Sequence, residues 1–468
     1  MILCDVLPDV CSGGHWGNDD CILFAPGPGH GLVRVSANGG EPEIVTIPDL
    51  TRNEHGHRYP EILPGGEAAL FTIAEVGGFS TASIGILSLR TGEWRTLISG
   101  GTSPHYLPTG HLVYAQTGAL LAAPFDLDRL DVTGPPVRVL EGVITMGGAE
   151  YSVSSDGSLA YVPGSGGWPA RALAWVDRQG HFEPLPLPPR HYTLPRLSPD
   201  GRHIAVAIID RQTGNPDIWV CELARNTLSR LTTSPDVDFT PVWTPDGKRV
   251  TFASAVRGPE PRLDLVWMPV EGTEQEDILR DMKGAQFANS WSPDGRTLLF
   301  TDEHPETKFD MWAVSLEEGS EPRPLIRTRF NETAAVFSPD GRWIAYQSDR
   351  SGRHEVYVRP WGEPGPDYPI STEGGTEPVW SRAGSELFYR NASRMMVVAV
   401  KTRPEFSVST PELLFEGGYE TYRLAANYDV SVDGQRFLMV WEQEAAPTEI
   451  NIVLNWAEEV KELCPTGR

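Results

Sequence analysis

The apolar residues of this chain come in short runs separated by polar turn residues. Ile204-Ala-Val-Ala-Ile-Ile and Met395-Met-Val-Val-Ala-Val are among the longest. Runs of that length, rich in β-branched residues, predict strands rather than helices. In the middle of the chain the order of runs is constant. A turn leads into an apolar run, and a polar gap follows. A third run comes next, as in Asp217-Ile-Trp-Val-Cys, Leu263-Asp-Leu-Val-Trp-Met, Asp310-Met-Trp-Ala-Val and Glu355-Val-Tyr-Val. A short fourth run such as Ser229-Arg-Leu-Thr-Thr closes the unit. Four short strands per unit describe one antiparallel meander. A helical period appears only near the end, over 455–463. Asn455 as N-cap, Glu458 three residues on, and Ala457, Val460 and Leu463 on one face predict a short helix there, docked over one end of the assembly.

The turn itself repeats. Leu197-Ser-Pro-Asp-Gly, Trp243-Thr-Pro-Asp-Gly, Trp291-Ser-Pro-Asp-Gly and Phe337-Ser-Pro-Asp-Gly are near-identical. Weaker copies flank them: Val153-Ser-Ser-Asp-Gly, Trp380-Ser-Arg-Ala-Gly, Val430-Ser-Val-Asp-Gly, Ile62-Leu-Pro-Gly-Gly, Tyr106-Leu-Pro-Thr-Gly and Trp16-Gly-Asn-Asp-Asp. The last turn position falls at 20, 66, 110, 157, 201, 247, 295, 341, 384 and 434, a mean period of (434 − 20)/9 = 46. Proline presets φ at the second turn position, and glycine takes the left-handed conformation that closes a hairpin. A period of this length with four strands per copy predicts a β-propeller.

The expected fold is therefore all-β. About ten four-stranded blades form one ring over residues 1–454, with a short helix and tail at 455–468. The last copy finds its third strand at Ile450-Asn-Ile-Val-Leu, and the lone first strand, Ile2-Leu-Cys-Asp-Val, completes that blade and closes the ring. The alternative is two smaller propellers of four and six blades, divided near the proline-rich stretch at 182–190.

Composition narrows the function. Lys plus Arg is 39 and Asp plus Glu is 63, a net charge of −24, which disfavours a nucleic-acid partner. The apolar runs are far too short for a membrane-spanning helix. The first residues lack a basic, then apolar, leader, so the expected compartment is the cytoplasm; an extracytoplasmic location applies if a region precedes Met1. The five cysteines, Cys4, Cys11, Cys21, Cys221 and Cys464, are scattered and read as free thiols.

The search for catalytic chemistry returns little. No Gly-x-Ser-x-Gly elbow occurs, and none of the protein-kinase motifs is present. His55-Gly-His57 puts two rings on one face of a strand, but two ligands make a weak metal site, and none is expected. Asp126, Asp128 and Asp131 lack the glycine that bends a calcium loop and read as a solvated turn. Trp243, Trp291 and Trp380 before the turns, and Trp219, Trp267 and Trp312 on third strands, recur in register and read as packing between blades. Trp16, Trp94, Trp168 and Trp361 fall outside that register, and at least one is expected to be exposed. The loops leading into the innermost strands carry Arg58, Glu150, Asp238, Glu332, Glu377 and Asn427. These residues are the candidate binding site at the channel mouth, favouring a cationic or hydroxyl-rich partner.

The Ser-Pro-Asp-Gly copies resemble the TolB-like propeller family of bacterial WD40-like repeats. Gly31-Leu-Val-Arg-Val-Ser-Ala-Asn-Gly-Gly, Phe125-Asp-Leu-Asp-Arg-Leu-Asp-Val-Thr-Gly-Pro-Pro and Tyr428-Asp-Val-Ser-Val-Asp-Gly-Gln-Arg-Phe-Leu are similar to the propeller module that follows bacterial eukaryote-like serine/threonine kinase domains. The resemblance implies a non-catalytic, monomeric interaction or sensing module without cofactor, meeting a protein partner or small ligand at the channel mouth. It transfers no catalytic residue. A propeller enzyme of polysaccharide-lyase or glycosidase type and a scaffold subunit of an envelope complex are the alternatives.

Overall fold

A computed structural model describes residues 12–466 except 18–19, 28–29, 50–51, 53, 76–77, 146–147, 165–168, 211–213, 235–236, 257–261, 272–276, 281–283, 305–306, 318–319, 363–364 and 443–448. Strands make up nearly all of the regular structure. No described helix is long and apolar enough to cross a membrane.

The turn motif folds as its chemistry requires. In Ser198-Pro-Asp-Gly201 the serine hydroxyl donates to Asp200 Oδ1 (2.6 Å) and accepts from the backbone N–H of His203 (2.9 Å). Asp200 Oδ1 also accepts from the Arg202 N–H, and the Gly201 N–H reaches the Ser198 carbonyl. Thr244, Ser292, Ser338 and Ser431 make the same serine-to-aspartate bond to Asp246, Asp294, Asp340 and Asp433 at 2.5–2.6 Å. Gly201, Gly247, Gly295, Gly341, Gly384 and Gly434 all have φ near +70°. There an L side chain strains the backbone, so glycine is required.

The chain divides into two compact units. Unit 1 comprises 1–168, 211–214 and 445–468; unit 2 comprises 169–210 and 215–444. The repeats fall four and six between them, the grouping of the two-propeller alternative. The division lies just before Pro169, ahead of the 182–190 stretch, which contributes to unit 2.

Among the described residues unit 2 holds six antiparallel meanders. Five begin at His191–Leu197, Asp238–Trp243, Ala285–Trp291, Glu332–Phe337 and Thr376–Trp380. The sixth begins at Tyr428–Val430 and continues into Arg436–Glu442. It is then completed from the start of the unit, by Arg171–Asp177 and Phe182–Pro184. Seven residue pairs join Arg171–Asp177 to Arg436–Glu442, from Arg171↔Glu442 to Asp177↔Arg436. The first strands touch in cyclic order, His191–Leu197 lying between Asp238–Trp243 and Tyr428–Val430. Unit 2 is thus a closed ring with no free edge at its seam. The expected third strand of the last repeat, around Ile450, lies elsewhere. Asn451–Val453 pairs with Leu159–Tyr161 in unit 1. A seven-residue partner offers more ladder bonds than a three-residue one, and Arg171–Asp177 occupies the edge. The proposed closing strand Ile2–Val6 lies outside the described residues.

Packing between neighbouring meanders of unit 2 uses the recurrent tryptophans, as their register predicts. Trp243, Trp291 and Trp380 are buried, and each donates its indole N–H to the preceding repeat: to the Arg196 carbonyl (2.9 Å), Thr251 Oγ1 (3.0 Å) and the Val336 carbonyl (3.3 Å). The turns stack as well. A Cβ built on Gly247, Gly295, Gly341 or Gly384 would touch the ring of Pro199, Pro245, Pro293 or Pro339 in the turn before it.

Unit 1 contains four sheets among the described residues. They begin at Gly14–Trp16, Glu54–Ile62, Thr102–Leu107 and Tyr151–Val153. The last is completed by Leu159–Tyr161 and Asn451–Val453. Helix α1 (Trp456–Leu463) docks on the third and fourth sheets. Trp456, Ala457, Val460 and Cys464 join Leu107, Val113, Val139 and Leu159 in one apolar cluster. Two details differ from expectation. Asn455 stands at the N-cap position in the left-handed conformation and makes no side-chain cap bond. Leu463 is half exposed, and Trp456 supplies the buried bulk in its place.

Candidate functional site

The centre of unit 2 is built from irregularities in its first strands. Five of the six slip register by a bulge, between Thr193 and Arg196, Phe239 and Val242, Ala288 and Ser290, Thr333 and Val336, and Thr376 and Val379. Leu194, Thr240, Ala334 and Glu377 are left-handed at these points. A bulge turns peptide groups out of the ladder, so they need partners elsewhere.

Those partners come from one segment. Residues 420–427 lead into the sixth meander and cross the ring centre at the end opposite the turns. The Leu424 carbonyl accepts from the Ala334 N–H (3.2 Å) and Asn289 Nδ2 (3.1 Å). The Arg423 carbonyl accepts from Thr333 Oγ1 (2.9 Å) and Gln347 Nε2 (2.7 Å). Asn427 Oδ1 accepts from the Leu194 N–H (2.7 Å) and Thr193 Oγ1 (3.3 Å). The Tyr422 N–H donates to Glu377 Oε1. Tyr422 and Leu424 also enter an apolar cluster with Phe287 and Ala253, and the Tyr422 ring meets Phe239 edge-on at 5.4 Å. The segment therefore touches each of the other five meanders.

Beneath it lies a buried charge cluster. Glu377 and Arg390 are both fully buried. The Glu377 backbone donates to Gln347 Oε1 (2.8 Å), and its carbonyl accepts from the Tyr428 hydroxyl (3.0 Å). Burial pushes the Glu377 carboxyl up to about 7; the Arg390 charge, the backbone N–H groups of Tyr422 and Asn427, and Arg196 pull the other way. Arg390 Nη2 donates to the carbonyls of Ala392 (2.9 Å) and Tyr419 (3.2 Å). Its Nε and Nη1, and Glu377 Oε2, make no hydrogen bond among the described residues. Burial lowers the Arg196 pKa, while Asp429 and Glu377 oppose the shift. A carboxyl near neutrality beside guanidinium groups has the makings of an acid–base pair. Tyr422 lies over it, its backbone N–H bonded to Glu377.

The six candidate residues separate. Glu377 and Asn427 meet at the plug, both holding it. Asp238 and Glu332, at the starts of their first strands, are also buried. Asp238 accepts from the Ser254 hydroxyl (2.6 Å), and Glu332 from Thr328 (2.8 Å) and Ser348 (3.2 Å). Burial pushes Glu332 up to about 7. These four side chains are buried. Arg58 and Glu150 belong to unit 1. They bear with opposite sign on the Tyr59 hydroxyl, whose pKa burial raises; Glu150 itself is exposed. His57 is fully buried, bonded to Thr46 Oγ1 (2.7 Å) and packed against Phe71 and Trp94; the side chain of His55 lies outside the described residues. Asp126 accepts the N–H groups of Asp128 and Arg129 in a local turn. Trp16 is exposed, Trp94 and Trp361 are packed, and Trp168 lies outside the described residues.

Arg390 and Gln347 had a signal in the repeat. Six residues after the turn glycine stand Ala207, Ala253, Thr301, Gln347, Arg390 and Val440. The two long polar side chains in that column both serve the plug region. The plug had one too: the glycine spacing before it is 434 − 384 = 50, against 46, 48, 46 and 43 in the preceding repeats of unit 2.

Comparison with known proteins supports the repeat reading. Residues 261–420 match the family model described as PD40, TolB beta propeller domain. A TolB homologue of Chlorobium luteolum is 26% identical over 156 residues, 33% of each chain. An uncharacterized peptidase, YuxL, of Bacillus subtilis is 24% identical over 211 residues, 36% of this chain and 32% of its own. The chain thus spans about a third of the length of these two relatives. Among solved structures, a TolB from Agrobacterium tumefaciens, described as putative, aligns over 60% of this chain and all of its own, at 18% identity and a TM-score of 0.47. The chain thus has an all-β propeller fold, and its residues 261–420 are similar to the TolB β-propeller family.

Proposed function

We propose that this chain is a non-catalytic interaction module, meeting a protein partner through the surfaces of its meanders. One observation carries the reading. The strongly perturbed carboxyl of Glu377 is roofed by the chain's own residues 420–427. A propeller enzyme needs its polar centre open to substrate. Here the same groups are committed to holding the ring together. The likeness to the module that follows bacterial kinase domains suits such a role, with this chain as the sensing part of a signalling system.

A thermal-shift panel tests the reading. Divalent ions, oligosaccharides and peptides are added to the purified chain. A ligand at 100 times its Kd adds about 2.7 kcal/mol. The expected result is a shift with peptides alone and no turnover of any glycan. Oligosaccharide cleavage abolished by Glu377→Gln would overturn the proposal.

A further inference from the structure

We infer that unit 2 binds a basic, extended peptide segment in a cleft beside its closing seam, on the turn side of the ring. The inference rests on the interaction reading and names the partner's chemistry. The cleft measures about 670 Å³, within the range of built binding clefts. One wall is a pair of neighbouring turns, Ser198–Gly201 and Ser431–Gly434. The other is the Phe182–Pro184 strand and the residues just after it.

This seam differs from the four proline-covered seams of unit 2. At those four the proline of one turn covers the glycine of the next, and at the fifth, where Arg382 replaces proline, nothing lies within 4 Å of a Cβ built on Gly434. At the seam beside the cleft Val432 stands in the proline's position. A Cβ built on Gly201 would lie 2.8 Å from its Cγ2, and the rest of the valine is half exposed. The floor is apolar: Trp175, Leu185 and Leu197. Three carboxylates line it, Glu183, Asp200 and Asp433, against the Arg436 guanidinium; behind the turn wall Arg382 donates to the Leu197 and Ser198 carbonyls, and Arg178, paired with Glu386, donates to the Gly434 carbonyl. Arg436 already stacks on Trp175 at 4.7 Å. Hydroxyl and backbone hydrogen bonds hold Asp200 and Asp433 below the usual carboxylate range, so both stay charged at neutral pH. Arg202, 3.9 Å from Asp200, is exposed and offsets it weakly. An apolar floor under an anionic rim fits a strand whose apolar side chains alternate with Lys or Arg. One set of side chains packs on Trp175 and Leu185 while the other reaches the carboxylates.

Fluorescence anisotropy with a labelled Lys-Leu-Lys-Leu-Lys-Leu-Lys peptide tests this, with Glu-Leu-Glu-Leu-Glu-Leu-Glu as control. The full chain should bind the basic peptide, more weakly as salt rises, and leave the acidic one free. Glu183→Lys adds repulsion at an exposed position, and Val432→Trp fills the cleft without touching a carboxylate. Each should weaken binding by about tenfold or more, with an unchanged thermal midpoint. No binding of the basic peptide, equal binding of the acidic one, or binding indifferent to both variants overturns the inference. So does equal competition by spermine, which would assign the site to a small polycation. Failure of the interaction reading shows separately, as Glu377-dependent turnover.

Discussion

The two ends of the unit 2 ring are held in opposite ways. The turn end uses one local device six times over, a hydroxyl-capped turn closed by a left-handed glycine. Every bond in it spans at most five residues. The other end uses one device once: residues 420–427, whose bonds reach back as far as 234 residues, to Thr193. Repetition makes each turn individually dispensable. The plug is singular, and through it all six meanders share one set of contacts. Local devices shape a repeat, whereas closing a ring into one cooperative body takes a non-local one.

That contrast can be broken most severely at Arg390. Arg390→Ala leaves the Glu377 carboxyl buried without the charge that offsets its burial, at a cost of about 3–5 kcal/mol. Hydrogen exchange should then quicken across the first strands of all six meanders. Acceleration confined to the fifth would refute the shared role. The pH response comes next, and the two ends carry opposite signs. Glu332 and Glu377 sit at about 7 in the fold against an ordinary 4.5. The folded state therefore keeps protons that the unfolded chain gives up. Their contribution is complete below about pH 4.5 and is lost as pH rises through about 7. Asp200, Asp246, Asp294 and Asp433 lie below 3.8, held by the turn hydroxyls. Their contribution is present above that value and lost as pH falls through the folded pKa. A melting series on wild type and the Glu332→Gln, Glu377→Gln double variant checks this. The double variant should flatten the neutral limb and leave the acid limb in place.

Smaller effects sharpen the comparison at the turns. Ser338→Ala removes the bond to Asp340 and orphans the Trp343 N–H, costing about 1–2 kcal/mol, with faster exchange limited to the fourth meander. Gly295→Ala forces a left-handed alanine and costs about 1 kcal/mol. Gly295→Asn should cost less, and chemical-denaturation midpoints rank the two.

The turn end was readable because its causes lie within a few residues. Ser-Pro-Asp-Gly states its own conformation, and the tryptophan register states which faces pack. The four-and-six grouping was visible only as an alternative. Arg171–Asp177 and the segment around Ile450 are equally strand-like, and which one joins Arg436–Glu442 depends on ladder length and on connections beyond local pattern. The site suffered similarly. Asp238 and Glu332 were placed by repeat position on loops entering the innermost strands, whereas the serine hydroxyls on neighbouring strands that make their burial tolerable are set by strand pairing. Arg390 and Gln347 were detectable as outliers in a repeat column, but their partner segment has no repeat to be compared with.

The pairing of Tyr161 with Asn451 also sets a timetable. These residues are 290 apart in the chain. At roughly 5–20 residues per second, a ribosome needs on the order of 15–60 s to deliver the strand that covers the edge of Leu159–Tyr161. Trp456, which fills the adjoining core, arrives later still. For that interval the newborn chain carries an uncovered strand edge beside a half-built apolar cluster. That window opens once residue 161 is made and closes when residue 451 emerges.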